Sequence, residues 1–253
     1  MPQADTGHAW TQQTQPRDEE EARVQLAAAY RLVDRFGMTD LIYNHISLRV
    51  PGAEHHFLIN PFGKLYRDIT ASSLVKVDLD GNIVGDSSWP INPAGFVIHG
   101  AVHRARPDVN CVLHTHTTYG ATIAALQSGL LPISQFAMRF HGRVAYHDYE
   151  GLATSEEERD RLAEDLGDNA VMILRNHGLL TTGRTVGEAF VSMEYLERAC
   201  RIQVEAQSTG GKIVIPPREV CDMAAAQFGP TEFELAWPAL VAMLDEVDPS
   251  YKN

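Results

Sequence analysis

Residues 92–120 read NPAGFVIHGAVHRARPDVNCVLHTHTTYG, and the order of elements in this stretch decides the fold. The periodicity predicts a helix from about Pro93 to Arg106, closed by Pro107. Asn110 to His114 is short and apolar, the pattern of a buried strand. A further helix follows through GATIAALQSG. His114 and His116 stand two apart at the strand end. In an extended chain, residues i and i+2 point to one face, so both imidazoles can grip one metal ion. A second apolar run, ILRNHGLL, places His177 at its end, in a turn marked by Gly178. If the two strand ends are neighbours in a sheet, three imidazoles converge. Three protein nitrogens with an open fourth position form the pattern of a catalytic zinc site.

The rest of the chain fits around this stretch. Residues 1–18 are polar and Gln-rich and read as a mobile tail ahead of a main domain over 19–253. In EEARVQLAAAYRLVDRF, Val24, Leu26, Ala27, Tyr30, Leu32, Val33 and Phe36 mark a helical stripe, with Gly37 placed to end it. HISLRV, HHFLIN and LVKVDLDGNIV alternate as strands, and Asp80-Gly81 is a hairpin signal. VAYHDY reads as a strand. SEEERDRLAEDLG reads as a helix with Ser155 as its N-cap, and the acidic run Glu156 to Asp160 as a solvated face. AVMILRNHGLLTTG is a strand pair around a polar break. TVGEAFVSMEYLERACRIQVEAQSTGG is a long helix, with Thr185 and Glu188 spaced as a capping box. Residues 212–253 read as a peripheral extension, irregular apart from a last helix near 231–246. The expectation is one α/β domain with a mainly antiparallel or mixed central sheet and helices on both sides.

Composition excludes several classes. Among 253 residues, 33 acidic groups outweigh 21 basic ones, a formal charge of -12. Such a surface opposes binding to nucleic acid or to an anionic membrane. The three cysteines, Cys111, Cys200 and Cys221, make no CxxC pair, which suits a reducing compartment. With no long apolar stretch, a cytoplasmic protein is expected.

The blocks IYNHISLRV, LINPFG, NPAGFVIHGAVHRARPDVNCVLHTHTTYG, GLLPIS, VAYHDYEG and ILRNHGLLTTG resemble the class II aldolase/adducin family, from about Ala22 to Gly211. Several of them lie nearer to adducin heads and adducin-like bacterial proteins than to sugar-phosphate aldolases. The resemblance implies a homotetramer with active sites at subunit interfaces and a small-molecule substrate. It also implies one divalent metal ion on His114, His116 and His177, with zinc expected ahead of manganese or iron.

Departures from the aldolase pattern shape the expected chemistry. The sugar-phosphate aldolases carry a glutamate four residues before the histidine matched by His99, where this chain has Gly95. Their hydroxyl residues for phosphate are matched here by Phe62, Pro93 and Ala94, while Asn44 and Gly63 keep their positions. A tyrosine donated by a neighbouring subunit aligns with Phe136. Asn44, Gly63 and Gly95 are therefore read as substrate-binding, and His99, Tyr119 and Arg175 as catalytic. His99 and His103 share one helix face. His45, His141 and His147 are further acid/base candidates, and Arg139 is a second choice for a carboxylate clamp. The expected activity is metal-dependent C–C cleavage, of aldolase or decarboxylase type, on a small non-phosphorylated oxo or hydroxy acid. Two other readings are a non-haem iron-type oxygenase on the same histidines and a non-catalytic adducin-like interaction module.

Overall fold

Asp18 starts the first helix, α1 (Glu19–Arg35), where its carboxylate accepts from the Glu21 N–H at 2.9 Å. Three glutamates in the first turn suit the positive end of the helix. At the other end, Gly37 adopts φ +69°. Its N–H donates to Asp34 O, and the Met38 N–H to Val33 O, which satisfies the last carbonyls. The helix is more deeply set than its stripe predicts. Ala28 and Ala29 are buried along with Leu26, Ala27, Tyr30, Leu32 and Val33, whereas Val24 is half-buried and Phe36 is exposed.

The computed structural model describes residues 15–52, 55–151, 156–229 and 231–253. The predicted tail through residue 14 and the Ser155 cap lie outside them. The strands are β1 (His45–Arg49), β2 (His56–Ile59), β3 (Val75–Asp78), β4 (Cys111–Thr115), β5 (Val144–His147), β6 (Val171–Leu174) and β7 (Gly178–Gly183). They form one mixed sheet in the order β3-β2-β1-β4-β7-β6-β5. Every pairing is antiparallel except β5 with β6. The fold is the single α/β domain that the sequence predicts, and the Asp80-Gly81 turn returns the chain to a bridge between Val77 and Ile83.

The remaining helices are α2 (Pro93–Ala105), α3 (Thr118–Ala124), α4 (Gln135–Met138), α5 (Glu156–Leu166), α6 (Val186–Ser208), α7 (Arg218–Gln227) and α8 (Thr231–Val247). Strand alternation divides the core between the two faces. Ile46, Leu48, Cys111, Leu113, Ile173 and Leu179 pack with α1, α6 and α8 on one side. Val112, Met172 and Leu180 pack with Val97, Ile98 and Val102 of α2 and Leu162 and Leu166 of α5 on the other. By alternation from Val112, His114 points to the α2 and α5 side. No helix among the described residues is long and apolar enough to cross a membrane.

Three local expectations need correction. Helix α7 occupies a stretch expected to be irregular. It buries Cys221 and Ala225 but leaves the apolar Val220 and Met223 exposed, which weakens the periodic signal. Only half of the capping box forms: Thr185 accepts from the Glu188 N–H, but the Glu188 carboxylate takes the Arg184 N–H instead of that of Thr185. Glu158, expected on a solvated face, is buried.

Around Gly37 no atom lies within 4 Å of a β-carbon position, so only the backbone resists substitution there. Gly37→Ala is expected to lower the unfolding free energy by about 1 kcal/mol, read as a lower urea midpoint at unchanged slope.

Candidate metal centre

The end of β4 carries His114, and the next turn carries His116. In the sheet His114 lies opposite Leu180 of β7 on one side and His45 of β1 on the other. His177 sits in the turn between β6 and β7, where Asn176 takes a left-handed conformation, φ 56°. Gly178 then lets β7 approach β4. A β-carbon there would fall 2.3 Å from Thr115 O and 3.2 Å from His116 Cδ2. The NHG sequence is thus the turn that brings the third imidazole in.

The three Nε2 atoms converge. His114 Nε2 is 2.8 Å from His116 Nε2, which is 2.9 Å from His177 Nε2. Hydrogen bonds fix two of the tautomers. His114 Nδ1–H donates to Leu179 O at 2.8 Å, and a carbonyl can only accept. His116 Nδ1–H donates to the Asp40 carboxylate at 2.9 Å. Both Nε2 atoms therefore present lone pairs to each other, a repulsion that a cation between them relieves. Burial holds His114 well below the ordinary histidine range and pushes His177 down to about 4, which disfavours a proton on either of those two rings. A divalent ion suits the arrangement, with Leu179 O and Asp40 as the outer partners that ligating imidazoles require. The donor set thus fits the metal that the sequence implies.

The other predicted residues divide. His99, on α2, does not reach the three histidines directly. Its Nε2 meets His45 Nδ1 at 2.9 Å, and its Nδ1 meets Ser47 Oγ at 2.6 Å. Ser47 Oγ also meets His103 Nε2 at 2.7 Å, so the predicted shared face of His99 and His103 closes on one hydroxyl. The His45 ring stacks on His114, centroids 5.2 Å apart. Gly95 lies against that ring: a β-carbon there would be 2.3 Å from His45 Cδ2 and 2.5 Å from Nε2. Asn44 has φ 71°, and both polar atoms of its buried amide lack a partner. Gly63 is exposed beside Trp89, with φ +107°.

Tyr119 and Arg175 are engaged elsewhere. The Tyr119 hydroxyl donates to Glu205 at 3.4 Å, toward the end of α6. Arg175 donates to Leu126 O at 2.7 Å and lies over the Tyr146 ring at 4.2 Å. Arg139 lies over Tyr195 and Phe228, and Phe136 stacks on Tyr195. His141 pairs with Asp222. His147 donates through Nδ1 to Asp165 at 2.7 Å, while its Nε2 is sealed without a partner. It borders a cavity of about 10 Å³ together with Glu158, Arg175 and His177.

Asp40 is the residue that sequence reading missed. It stands in MTDLIYN, outside any periodic pattern, and reaches His116 through a tight turn closed by a bridge between Asp40 and Tyr43. Ser47 is a second omission, since an inward serine on a strand gives no sign of which groups it will join.

The profile of the Class II Aldolase and Adducin N-terminal domain matches residues 24–204. A protein of Caulobacter vibrioides, provisionally named a class 2 aldolase, is 48% identical over 92% of both chains. Rat alpha-adducin is 50% identical over 75% of this chain, which spans 26% of that protein. A solved aldolase II superfamily protein from Pseudomonas syringae superposes with a TM-score of 0.90 at 51% identity, covering 96% of this chain and 99% of that one. L-fuculose 1-phosphate aldolase from Glaciozyma antarctica superposes at 0.84 with 29% identity over the same shares.

Burial also keeps His103 neutral, with its pKa pushed down to about 3. The unfolded chain takes up a proton near 6.5 that the folded one refuses, so stability falls as pH drops from about 6.5 toward 3 and is unaffected above. In metal-free protein, His103→Gln is expected to flatten the decline by up to about 1.4 kcal/mol per pH unit within that window. Urea denaturation at pH 7, 6 and 5 measures it; an unchanged slope would contradict the assignment.

Proposed function

We propose a function for this chain from one premise: it belongs to the class II aldolase and adducin family. Members with lyase activity use a divalent metal, and the reading supported best here is a metal-dependent lyase acting on a small, non-phosphorylated oxo or hydroxy acid. One observation carries it: three imidazole Nε2 atoms converge, and the hydrogen bonds to Leu179 O and Asp40 turn two of their lone pairs inward.

His114, His116 and His177 hold the ion; nitrogen donors suit zinc, manganese and iron, and three imidazoles with an open fourth position match the catalytic zinc pattern, so zinc is expected first. When bound, the ion supplies Lewis-acid stabilisation of the negative charge that develops on a carbonyl oxygen as a C–C bond breaks. The residues around it select the substrate. Asn44 offers an amide that lacks a partner of its own, suited to a substrate oxygen. Phe62, packed 6.1 Å from Tyr43, stands where a sugar-phosphate aldolase offers a hydroxyl, so a phosphate would forfeit hydrogen bonds here. Leu179 and Asp40 hold the imidazoles in place, so that little reorganisation accompanies the reaction. The reading extends to a homotetramer with its sites at subunit interfaces.

The identity to alpha-adducin supports a second reading, a binding module without catalysis. Elemental analysis separates the two. Protein purified without chelator is expected to hold about one divalent ion per chain, and His114→Ala to lose most of it. The loaded protein is expected to cleave at least one member of a panel of 2-oxo and hydroxy acids, followed by product formation. A metal-free wild type would favour the binding module, and a loaded but inert one would remove the lyase.

A further inference from the structure

Gly95 and His45 share one volume. A side chain at 95 is excluded because the His45 ring fills its place, Cδ2 and Nε2 lying 2.3 and 2.5 Å from where a β-carbon would sit. His45 reaches this position through the sheet. It pairs with His114 across β1 and β4, on the same face, and stacks on the His114 ring with an interplanar angle of 27°. Its Nδ1 is anchored by His99, which is anchored by Ser47, which is anchored by His103. All four of these groups are buried. Among the described residues, Nε2 of His45 is left with no hydrogen-bond partner. Such a chain fixes the ring in one orientation, its face on His114 and its uncommitted Nε2 on the side of Gly95.

We propose that His45 is the polar group that meets the substrate at this position, hydrogen-bonding one of its oxygens through Nε2. His99, Ser47 and His103 are positioning residues that hold the ring. The inference rests on the metal-dependent reading above and assigns the role left vacant by the glycine at 95: the polar contact is delivered from β1 rather than from α2. It also gives the site a substrate preference, since a neutral imidazole suits a hydroxyl or carboxylate oxygen without adding a second negative charge near the ion.

Two measurements test it. The first is a melting-temperature cycle. Gly95→Ala is expected to lower the melting temperature, and His45→Ala/Gly95→Ala to recover most of the loss that Gly95→Ala causes. The same penalty in both backgrounds would overturn the shared volume. The second is calorimetric binding of oxalate to zinc-loaded protein. His45→Phe keeps the ring and its stacking and is expected to bind oxalate about tenfold more weakly at unchanged zinc content. His45→Gln is expected to recover part of the affinity. Equal affinity for oxalate in wild type and both variants, at full zinc content, overturns the role of His45 alone. A wild type that takes up no zinc overturns the metal reading, and this inference with it.

Discussion

Between His114 and His116 the two Nε2 atoms face each other at 2.8 Å, and the hydrogen bonds behind them hold the N–H of each neutral ring outward, so that two lone pairs meet. That arrangement is unfavourable for the bare protein, and much of the architecture serves to hold it. The β4–β7 ladder aims His114, the left-handed turn at Asn176 aims His177, and Gly178 permits the approach that brings the two together. Asp40 arrives from the turn before β1. Burial then disfavours a proton on His114 and His177, which leaves their lone pairs suited to a metal ion.

Behind the three histidines lies a polar layer that the α2 face of the sheet must accommodate. His45, Ser47, His99 and His103 are buried within a mostly apolar region, which is costly unless they satisfy one another. They do so in part, in a single chain of contacts whose two ends, His45 Nε2 and the buried His103 Nδ1, stay without a partner. Such a layer contributes little net stability compared with apolar packing of equal volume. It gives instead a fixed orientation to the His45 ring stacked on His114.

The legible parts of the sequence were those with a period or a rigid spacing. The apolar runs that became β4, β6 and β7 announced the centre of the sheet, and the two-residue spacing of His114 and His116 announced a shared face. The resemblance added His177. The partners that lie far apart in sequence were invisible: Asp40 reaches His116 across 76 residues and Ser47 reaches His99 across 52. Helix α7 was hidden because apolar side chains such as Val220 and Met223 lie exposed and blur its periodicity, and the burial of Glu158 by the charge of its neighbours. Tyr119 and Arg175 stand close in sequence to the histidine motifs; their hydrogen bonds go to Glu205 and Leu126, while Arg175 shares a small cavity with His177.

The central claim is that one metal ion is held jointly by His114, His116 and His177. Anomalous diffraction at the absorption edge of the metal, on crystals grown with zinc, tests it most directly. The account predicts one peak about 2.0–2.1 Å from each of the three Nε2 atoms. Zinc-replete crystals with no peak among these three nitrogens, or with the ion held elsewhere, would contradict it.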